Sequence, residues 1–437
     1  MIKVHGIGGY EEVGKNMSCI EFEDEAVILD MGLYMDRFIA FQEKGLKMDT
    51  QALIDEGAIP DDKKIRNLRD KIRAIIISHA HLDHVGGIKW LASHYDCKII
   101  TTPYTSEIIN RHSKNLSNRI VRTNVNSTYR ISKNIEVEFI NVTHSIPQST
   151  LVHLKTSYGS IIYALDYKND NHPVIGGKTN IKRLREIKDV LLLIADSTNV
   201  DEERKTFSET IAREMLKDII LGMETEGHGI FLTTFSSHIA RLKSMLEIAK
   251  ILKRRAVFIG KSLYDYIESA EKLKLINFSK DADIIENAKR MEKKLAEMNE
   301  KKSDYIFIVT GGMGEKDAVL TQIVNDELPI KISENDFVIF SCEVIPTPTI
   351  QANRQILEDK IRRKKARIFK DIHVSGHASR EDLRDLIKIV SPLNILPAHG
   401  DIKKCSSFAT LANEMGYELG KNVYIIQNGQ SISLNPL

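Results

Sequence analysis

Positions 79–84 read HAHLDH, three histidines and an aspartate within six residues. Imidazole and carboxylate together hold divalent cations without the help of a thiolate. Residues two apart on an extended segment point the same way, so His79 and His81 can reach one cation together. Asp83 and His84 open the segment DHVGGIKWLASHY, where Val85, Ile88 and Leu91 suggest a helix. Adjacent residues at a helix start diverge, which suits two neighbouring cations better than one. Taken singly, such a histidine is more often a hydrogen-bonded structural residue, and Asp83 an ordinary helix N-cap. The concentration of all four in one hexad favours metal. The pair Gly86-Gly87 is what a backbone pressed against another element requires.

A pair of cations needs more donors than the hexad supplies, and three strand ends offer them. His144 follows the run NIEVEFINV, Asp166 ends SIIYALD, and His399 follows LNILP in LPAHGD. Each alone could simply bond to its own turn. Jointly they complete the count: with Asp166 bridging, one cation takes His79, His81 and His144, and the other takes Asp83, His84 and His399. Such a donor set suits two zinc ions per chain and tolerates manganese. Paired cations polarise a phosphoryl or carbonyl group and lower the pKa of a shared water, so the implied chemistry is hydrolysis.

These residues need strand ends to stand on. The run IRAIIIS at 72–78 is too uniformly apolar for a half-exposed strand and fits one covered on both faces. Around it lie SCIEFEDEAVILDMG, CKIITTP, NIEVEFINV, TLVHLKT, SIIYALD and DVLLLIAD, the pattern of a sheet sandwich with helices outside. The polar stretch between Leu33 and Lys71 is predicted to be a surface loop with one short helix. From Asp201 the texture changes to strands alternating with helices: FSETIAREMLKDIILGM, GIFLTTF, HIARLKSMLEIAKILKR and RAVFIGK, then the charged amphipathic stretch KDADIIENAKRMEKKLAEMNEKK, then YIFIVTGG and FVIFSCEV. That alternation predicts a parallel α/β domain. Histidine and glycine return in the last segment, so it is expected to fold back onto the first domain. The expected organisation is 1–200 and 368–437 as one domain, with 201–367 inserted.

A chain of 437 residues exceeds one ordinary core. The formal net charge of +2, from 62 basic and 60 acidic side chains, excludes a globally basic nucleic-acid binder; any such footprint must be local. The four cysteines (Cys19, Cys97, Cys342 and Cys405) form no CxxC pair, which argues against a thiolate zinc site and for reduced thiols. The opening MIKVHGIGGYEEVGKNM has no signal-peptide core, and the run VLLLIA at 190–195 is far below a membrane span. A cytoplasmic protein with no membrane partner is the expectation.

HAHLDH followed by His144, Asp166 and His399 resembles the metallo-β-lactamase superfamily, which implies an αββα sandwich and a dinuclear zinc site. Asp196 in LLLIADSTN, His377 in VSGHAS and His399 in PAHGD look like the three additional motifs of the β-CASP nucleases, whose α/β insertion matches the one expected above. Within that group GGYEEVGKNM, ILDMG, TFSSHIAR, TGGMGE and HVSGHAS are most similar to ribonuclease J, particularly its short archaeal form. The resemblance spans essentially the whole chain, though the short run after His399 leaves no room for the extra C-terminal domain of bacterial members.

The resemblance implies a metal-dependent 5′-to-3′ exoribonuclease that prefers a 5′-monophosphate on single-stranded RNA, with endonucleolytic cleavage as a further capacity. It places Asp83 among the catalytic groups, Asp30 behind the metals orienting histidine, and Asp196 as orienter of His377, which acts as general acid or phosphate binder. Substrate phosphate would be held by Ser236, Ser237, Arg241, Gly311, Gly312, Gly314, Ser375 and His377. For the turns among them, ordinary strand-to-helix chemistry is the competing account. His238 stands where bacterial members often have asparagine, so no role is carried over to it. The runs KILKRR and IRRKKAR would line an RNA channel or be solvated helix faces. A homodimer through the inserted domain or its neighbour is expected. Three readings compete: a thioester or lactam hydrolase, which would not need the inserted block; a DNA-directed β-CASP nuclease; and a catalytically silent RNA-processing scaffold, which would be expected to have lost ligands.

Overall fold

The computed structural model describes residues 1–45 and 47–436. Two compact units are formed: one from Met1–Asn171, Gly177–Thr206 and Ser375–Leu437, the other from His172–Gly176 and Phe207–Val374.

The first unit holds two sheets. One runs in the order Ser431–Leu434, Ile2–Gly8, Met17–Phe22, Glu25–Leu29, Ile72–Ile77, Lys98–Thr101, Ile120–Arg122. The other runs Asn394–Ala398, Val190–Asp196, Gly159–Ala164, Thr150–Thr156, Ile135–Asn141, Ser127–Arg130. Alternation along each strand builds four layers. Ala74 and Ile76 join Ile161, Tyr163, Leu192 and Ile194 in the core between the sheets. Their neighbours Ile75 and Ile77 turn the other way onto Leu53, Ile65, Ile88 and Leu91. On the far side Ile162, Ala164, Leu193 and Ala195 meet Leu383, Leu386, Phe408 and Leu411 from the helices Arg380–Val390 and Ile402–Glu414. This is the sheet sandwich with outer helices expected from the strand pattern, in the αββα form that the resemblance implies.

Strand direction gathers the chemistry. Glu25–Leu29 and Ile72–Ile77 are parallel, so Asp30 and His79 leave the first sheet at one edge. Gly159–Ala164, Val190–Asp196 and Asn394–Ala398 are also mutually parallel, and they deliver Asp166, Asp196 and His399 to one edge of the second sheet. Ile135–Asn141, two antiparallel steps away, runs the same way and delivers His144.

The second unit contains a fully parallel sheet in the order Ala282–Ile285, Arg255–Ile259, Tyr305–Val309, Ile230–Thr233, Phe337–Phe340, Arg367–Phe369. Its core includes Phe231, Val257, Ile259, Phe307, Val309, Leu320, Val338 and Phe340.

Two local expectations need correction, and the charged stretch resolves into two elements. The stretch Leu33–Lys71 is more ordered than a loop: it contains the helices Met35–Glu43 and Thr50–Asp55 and the 3₁₀ segment Asp62–Lys71. Its sparse apolar residues Phe41, Leu53, Ile65 and Leu68 are all buried against the first sheet. The helix expected from Asp83 is two single turns, Leu82–Val85 and Ile88–Leu91, separated by the glycine pair. A Cβ on Gly87 would lie 2.6 Å from the Gly32 carbonyl oxygen, and the Gly87 N–H bonds to Met31 O at 2.8 Å, so close packing against 31–33 interrupts the helix. In the charged stretch after Ser279, Ala282–Ile285 is an edge strand, and the helix begins only at Glu292.

Among the described residues no helix is long and apolar enough to cross a membrane.

Candidate metal centre

The HAHLDH segment, His144, Asp166 and His399 converge in the first unit as two donor sets that share one carboxylate. In the first set His81 Nδ1 lies 3.1 Å from His79 Nε2 and 3.0 Å from His144 Nε2. Asp166 Oδ2 stands 3.5 Å from His79 Nε2 and 3.3 Å from His144 Nε2. In the second set Asp166 Oδ1 is 2.9 Å from His84 Nε2 and 3.7 Å from His399 Nε2. Asp83 Oδ2 completes it at 3.5 Å from His84 Nε2 and 3.7 Å from His399 Nε2. Donors bound tetrahedrally to zinc at about 2.0–2.1 Å stand about 3.3 Å apart, and these separations cluster around that value.

Each ring is held from behind. Asp30, fully buried, accepts from Ser78 N at 2.8 Å, Ser78 Oγ at 2.9 Å and His84 Nδ1 at 2.6 Å. With its proton on Asp30, the Ser78 hydroxyl accepts from His79 Nδ1 at 3.0 Å. His144 Nδ1 donates to Gly376 O at 2.8 Å, and His399 Nδ1 to Asn16 Oδ1 at 2.9 Å. These bonds put the ring proton on the rear nitrogen and leave a lone pair on each converging Nε2 of His79, His144, His84 and His399. For His81 the converging atom is Nδ1, with Nε2 3.4 Å from Ser145 Oγ.

The electrostatics call for cations. Burial pushes His79, His81 and His144 down to about 4, so they are neutral and able to ligate near neutral pH. His84 is displaced upward: burial opposes its charge, but the carboxylates of Asp166, Asp83 and Asp30 outweigh it. With the His84 proton on Nδ1, facing Asp30, the buried Asp166 Oδ1 has no hydrogen-bond donor. A buried carboxylate oxygen without a donor, ringed by imidazole lone pairs, is what a divalent cation satisfies. The residues therefore fit the two-cation site.

Beside the first set, Asp196 is fully buried, accepts from Thr198 N at 2.8 Å through Oδ1, and holds His377 Nδ1 at 2.8 Å through Oδ2. His377 Nε2 is thereby turned toward Asp166 Oδ2, 3.7 Å away. Burial would lower the His377 pKa, but Asp166 and Asp196 raise it to about 9. Ser375 Oγ accepts from Asn199 Nδ2 at 2.7 Å and from His377 N at 3.1 Å, which stiffens the loop presenting the imidazole.

The remaining expected phosphate contacts lie in the second unit. Ser236 and Ser237 follow the strand Ile230–Thr233, and Gly311, Gly312 and Gly314 follow its parallel neighbour Tyr305–Val309, so both turns emerge at one sheet edge. Two of these glycines have packing reasons of their own. A Cβ on Gly312 would meet Cys342 Sγ at 2.8 Å, and one on Gly314 would meet Asn353 O at 2.4 Å.

Arg241 does not fit its expected role. It is fully buried, with Nε and Nη2 on Glu209 at 2.5 and 2.9 Å and Nη1 on Ser341 O, Ser341 Oγ and Ile372 O at 2.9, 2.8 and 3.1 Å. That guanidinium ties the unit's interior together. Part of each basic run is ion-paired: Lys250 with Asp281, Arg255 with Asp283, Arg362 with Glu358 and Asp359, Lys364 with Asp326, and Lys365 with Glu334. Sequence reasoning missed Ser78, Gly376 and Asn16, which orient the rings; Asn16 and Gly376 lie inside GGYEEVGKNM and HVSGHAS and Ser78 directly precedes HAHLDH, the one signal that could have marked them.

The chain is similar to known proteins along nearly all its length. Residues 11–159 match the family described as "Metallo-beta-lactamase superfamily", 227–358 match "Ribonuclease J, beta-CASP domain", and 362–426 match "Zn-dependent metallo-hydrolase RNA specificity domain". A protein of Pyrococcus abyssi named "Ribonuclease J" is 44% identical over 443 residues, covering 99% of this chain and 97% of the relative. One of that name from Methanocaldococcus jannaschii is 38% identical over 441 residues, covering 99% and 98%. A crystal structure of a protein of unknown function from Enterococcus faecalis V583 superposes with a TM-score of 0.66 at 16% identity, covering 99% of both chains, and bears on the fold alone.

Proposed function

The chain belongs to the ribonuclease J family, and from that premise we propose a metal-dependent ribonuclease that degrades single-stranded RNA from the 5′ end, preferring a 5′-monophosphate. The observation that carries the hydrolytic reading is the division of Asp166, Oδ2 toward one donor set and Oδ1 toward the other. His79, His81, His144 and Asp166 would hold one cation, and Asp83, His84, His399 and Asp166 the second. Imidazole and carboxylate without thiolate favour two zinc ions per chain, with manganese as the alternative. Bound there, such cations supply Lewis acidity toward phosphate and water acidic enough to attack at neutral pH.

The chain's own groups supply the rest. Asp30 and Ser78 keep the His84 and His79 rings in the ligating tautomer. Asp196 fixes His377, whose Nε2 serves the scissile phosphate as proton donor to the leaving oxygen. Ser375 holds the backbone from which His377 projects and offers its hydroxyl to phosphate. In the second unit the turns at Ser236–Ser237 and Gly311–Gly314 present hydroxyl and backbone N–H groups suited to the terminal 5′-phosphate. A homodimer working in the cytoplasm is the expected setting. The four cysteines are all free, in keeping with a reducing compartment.

The test uses the zinc- or manganese-loaded protein and RNA labelled at a 5′-monophosphate, triphosphate or hydroxyl end. Immediate release of labelled mononucleotide from the monophosphorylated RNA, with the other ends resisting, is expected. Internal cuts indifferent to the 5′ end would overturn the directional reading.

A further inference from the structure

Asn16, in the opening motif GGYEEVGKNM, is 1% exposed and bonds to two separate parts of the candidate metal centre. Its Nδ2 donates to the Asp83 carbonyl oxygen at 3.1 Å and lies 3.0 Å from His84 Nε2, while its Oδ1 accepts from His399 Nδ1 at 2.9 Å. The backbone repeats the tie: Asn16 N donates to Asp83 O at 2.9 Å, and Asn16 O accepts from Gly32 N at 2.9 Å.

The amide cannot turn over. A carbonyl oxygen only accepts, so the Asp83 carbonyl demands the NH₂ end and leaves Oδ1 facing His399. Oδ1 in turn demands a proton on His399 Nδ1, which places the lone pair on Nε2, the atom 3.7 Å from both Asp83 Oδ2 and Asp166 Oδ1. Packing closes the arrangement. A Cβ on Gly9 would lie 2.4 Å from Asn16 Oδ1, and one on Gly32 would lie 2.7 Å from Asn16 N. His399 is itself pinned by its N–H to Gly9 O at 2.6 Å.

The first donor set has other supports: Ser78 behind His79, Gly376 O behind His144 and Ser145 beside His81. We infer that Asn16 is a positioning residue dedicated to the second cation: it joins Asp83 to His399 and fixes the histidine's ligating tautomer, so its loss weakens one cation site and spares the other. This rests on the two-cation reading above.

The experiment is zinc content per chain by mass spectrometry, with titration against a competing chelator, on the full-length wild type, Asn16→Ala, Asn16→Asp and His81→Ala. Circular dichroism checks that each variant is folded. Wild type should hold two zinc ions; a count other than two would overturn the two-cation reading itself. Asn16→Ala should keep one ion at wild-type affinity and bind the other about 10–100-fold more weakly, the usual effect of removing a group that orients a ligand. His81→Ala should lose the opposite site. Asn16→Asp keeps an oxygen acceptor for His399 Nδ1 and should fall between wild type and alanine; it decides the matter should the alanine variant not fold. Two ions at unchanged affinity in folded Asn16 variants, or equal weakening of both, would overturn the assignment to Asn16 while leaving the two-cation reading intact.

Discussion

Replacing Arg241 with alanine separates a structural role from a phosphate contact. The guanidinium makes five hydrogen bonds within the second unit, two of them to the buried carboxylate of Glu209. Truncation takes the guanidinium from that carboxylate, leaving it His238 at 3.5 Å, and removes one donor each from Ser341 O, Ser341 Oγ and Ile372 O. Removing one partner of a buried ion pair costs about 3–5 kcal/mol. At about 2–4 °C per kcal/mol for a unit of this size, the melting transition should fall by roughly 6–20 °C. The partner adds a pH signature. Burial pushes the Glu209 carboxyl up, but His238 and Arg241 outweigh it and hold the group well below its ordinary 4.5. A depressed carboxyl stabilises fully above its unfolded value and loses that contribution as pH falls through the folded one. Wild type should therefore lose stability progressively below about pH 4.5, and Arg241→Ala should have lost the guanidinium's share of it already at neutral pH, the share of His238 remaining. The double variant Glu209→Gln with Arg241→Met should lose less than the two singles combined, because no buried charge is left alone. Denaturant and thermal melts of the full chain read the stability, and RNA affinity against salt reads the alternative. An unchanged melt with a salt slope reduced by about 1 would refute the structural account and restore Arg241 as a phosphate contact.

Three further outcomes are expected. Metal removal by a chelator, and separately His81→Ala and Asp83→Ala, should abolish RNA hydrolysis while leaving RNA binding in a gel-shift assay; activity retained by either variant would remove the metal mechanism. Gly32→Ala would put a Cβ 1.7 Å from the Asp83 carbonyl oxygen, a backbone atom that cannot move aside, and should destabilise by about 3 kcal/mol while depleting bound zinc. Glu138, paired with His153 at 2.9 Å and Arg183 at 2.6 Å, has a pKa of about 2: burial opposes the shift, and these two partners drive it. Its contribution should be complete above about pH 4.5 and be lost as pH falls toward 2, and a Glu138→Gln variant whose acid melting matches wild type would contradict that.

The metal-centre candidates could be read because their residue types are expensive to place together for any other reason. Four ionisable side chains in one hexad at a strand end, and single His or Asp residues at three other strand ends, leave a signature that needs no partner to be seen. The sandwich was legible for a similar reason, since Ile75, Ile76 and Ile77 are apolar on both faces and demand cover on both. Residues that act through shape or through one hydrogen bond were not. Asn16 is an ordinary polar residue until the fold brings it to His399, and Ser78 is one more serine at a strand end. Arg241 misled because a motif position says which residue is needed and not which way its side chain turns. The edge strand Ala282–Ile285 was hidden because its flanks are charged and its run is four residues long.

The position of His399 sets an order of events during synthesis. The strand before it, Asn394–Ala398, pairs with Val190–Asp196 across some two hundred residues of sequence, among them the whole block 207–374. All other members of the two donor sets have emerged by residue 166. A growing chain thus presents His79, His81, His144 and Asp166 well before His399 exists, although Gly376, which orients His144, also comes late. Chains grow at about 5–20 residues per second, so the interval lasts on the order of 10–50 s. Throughout it the nascent protein lacks one of the paired sites and should be unable to cut the message that is encoding it.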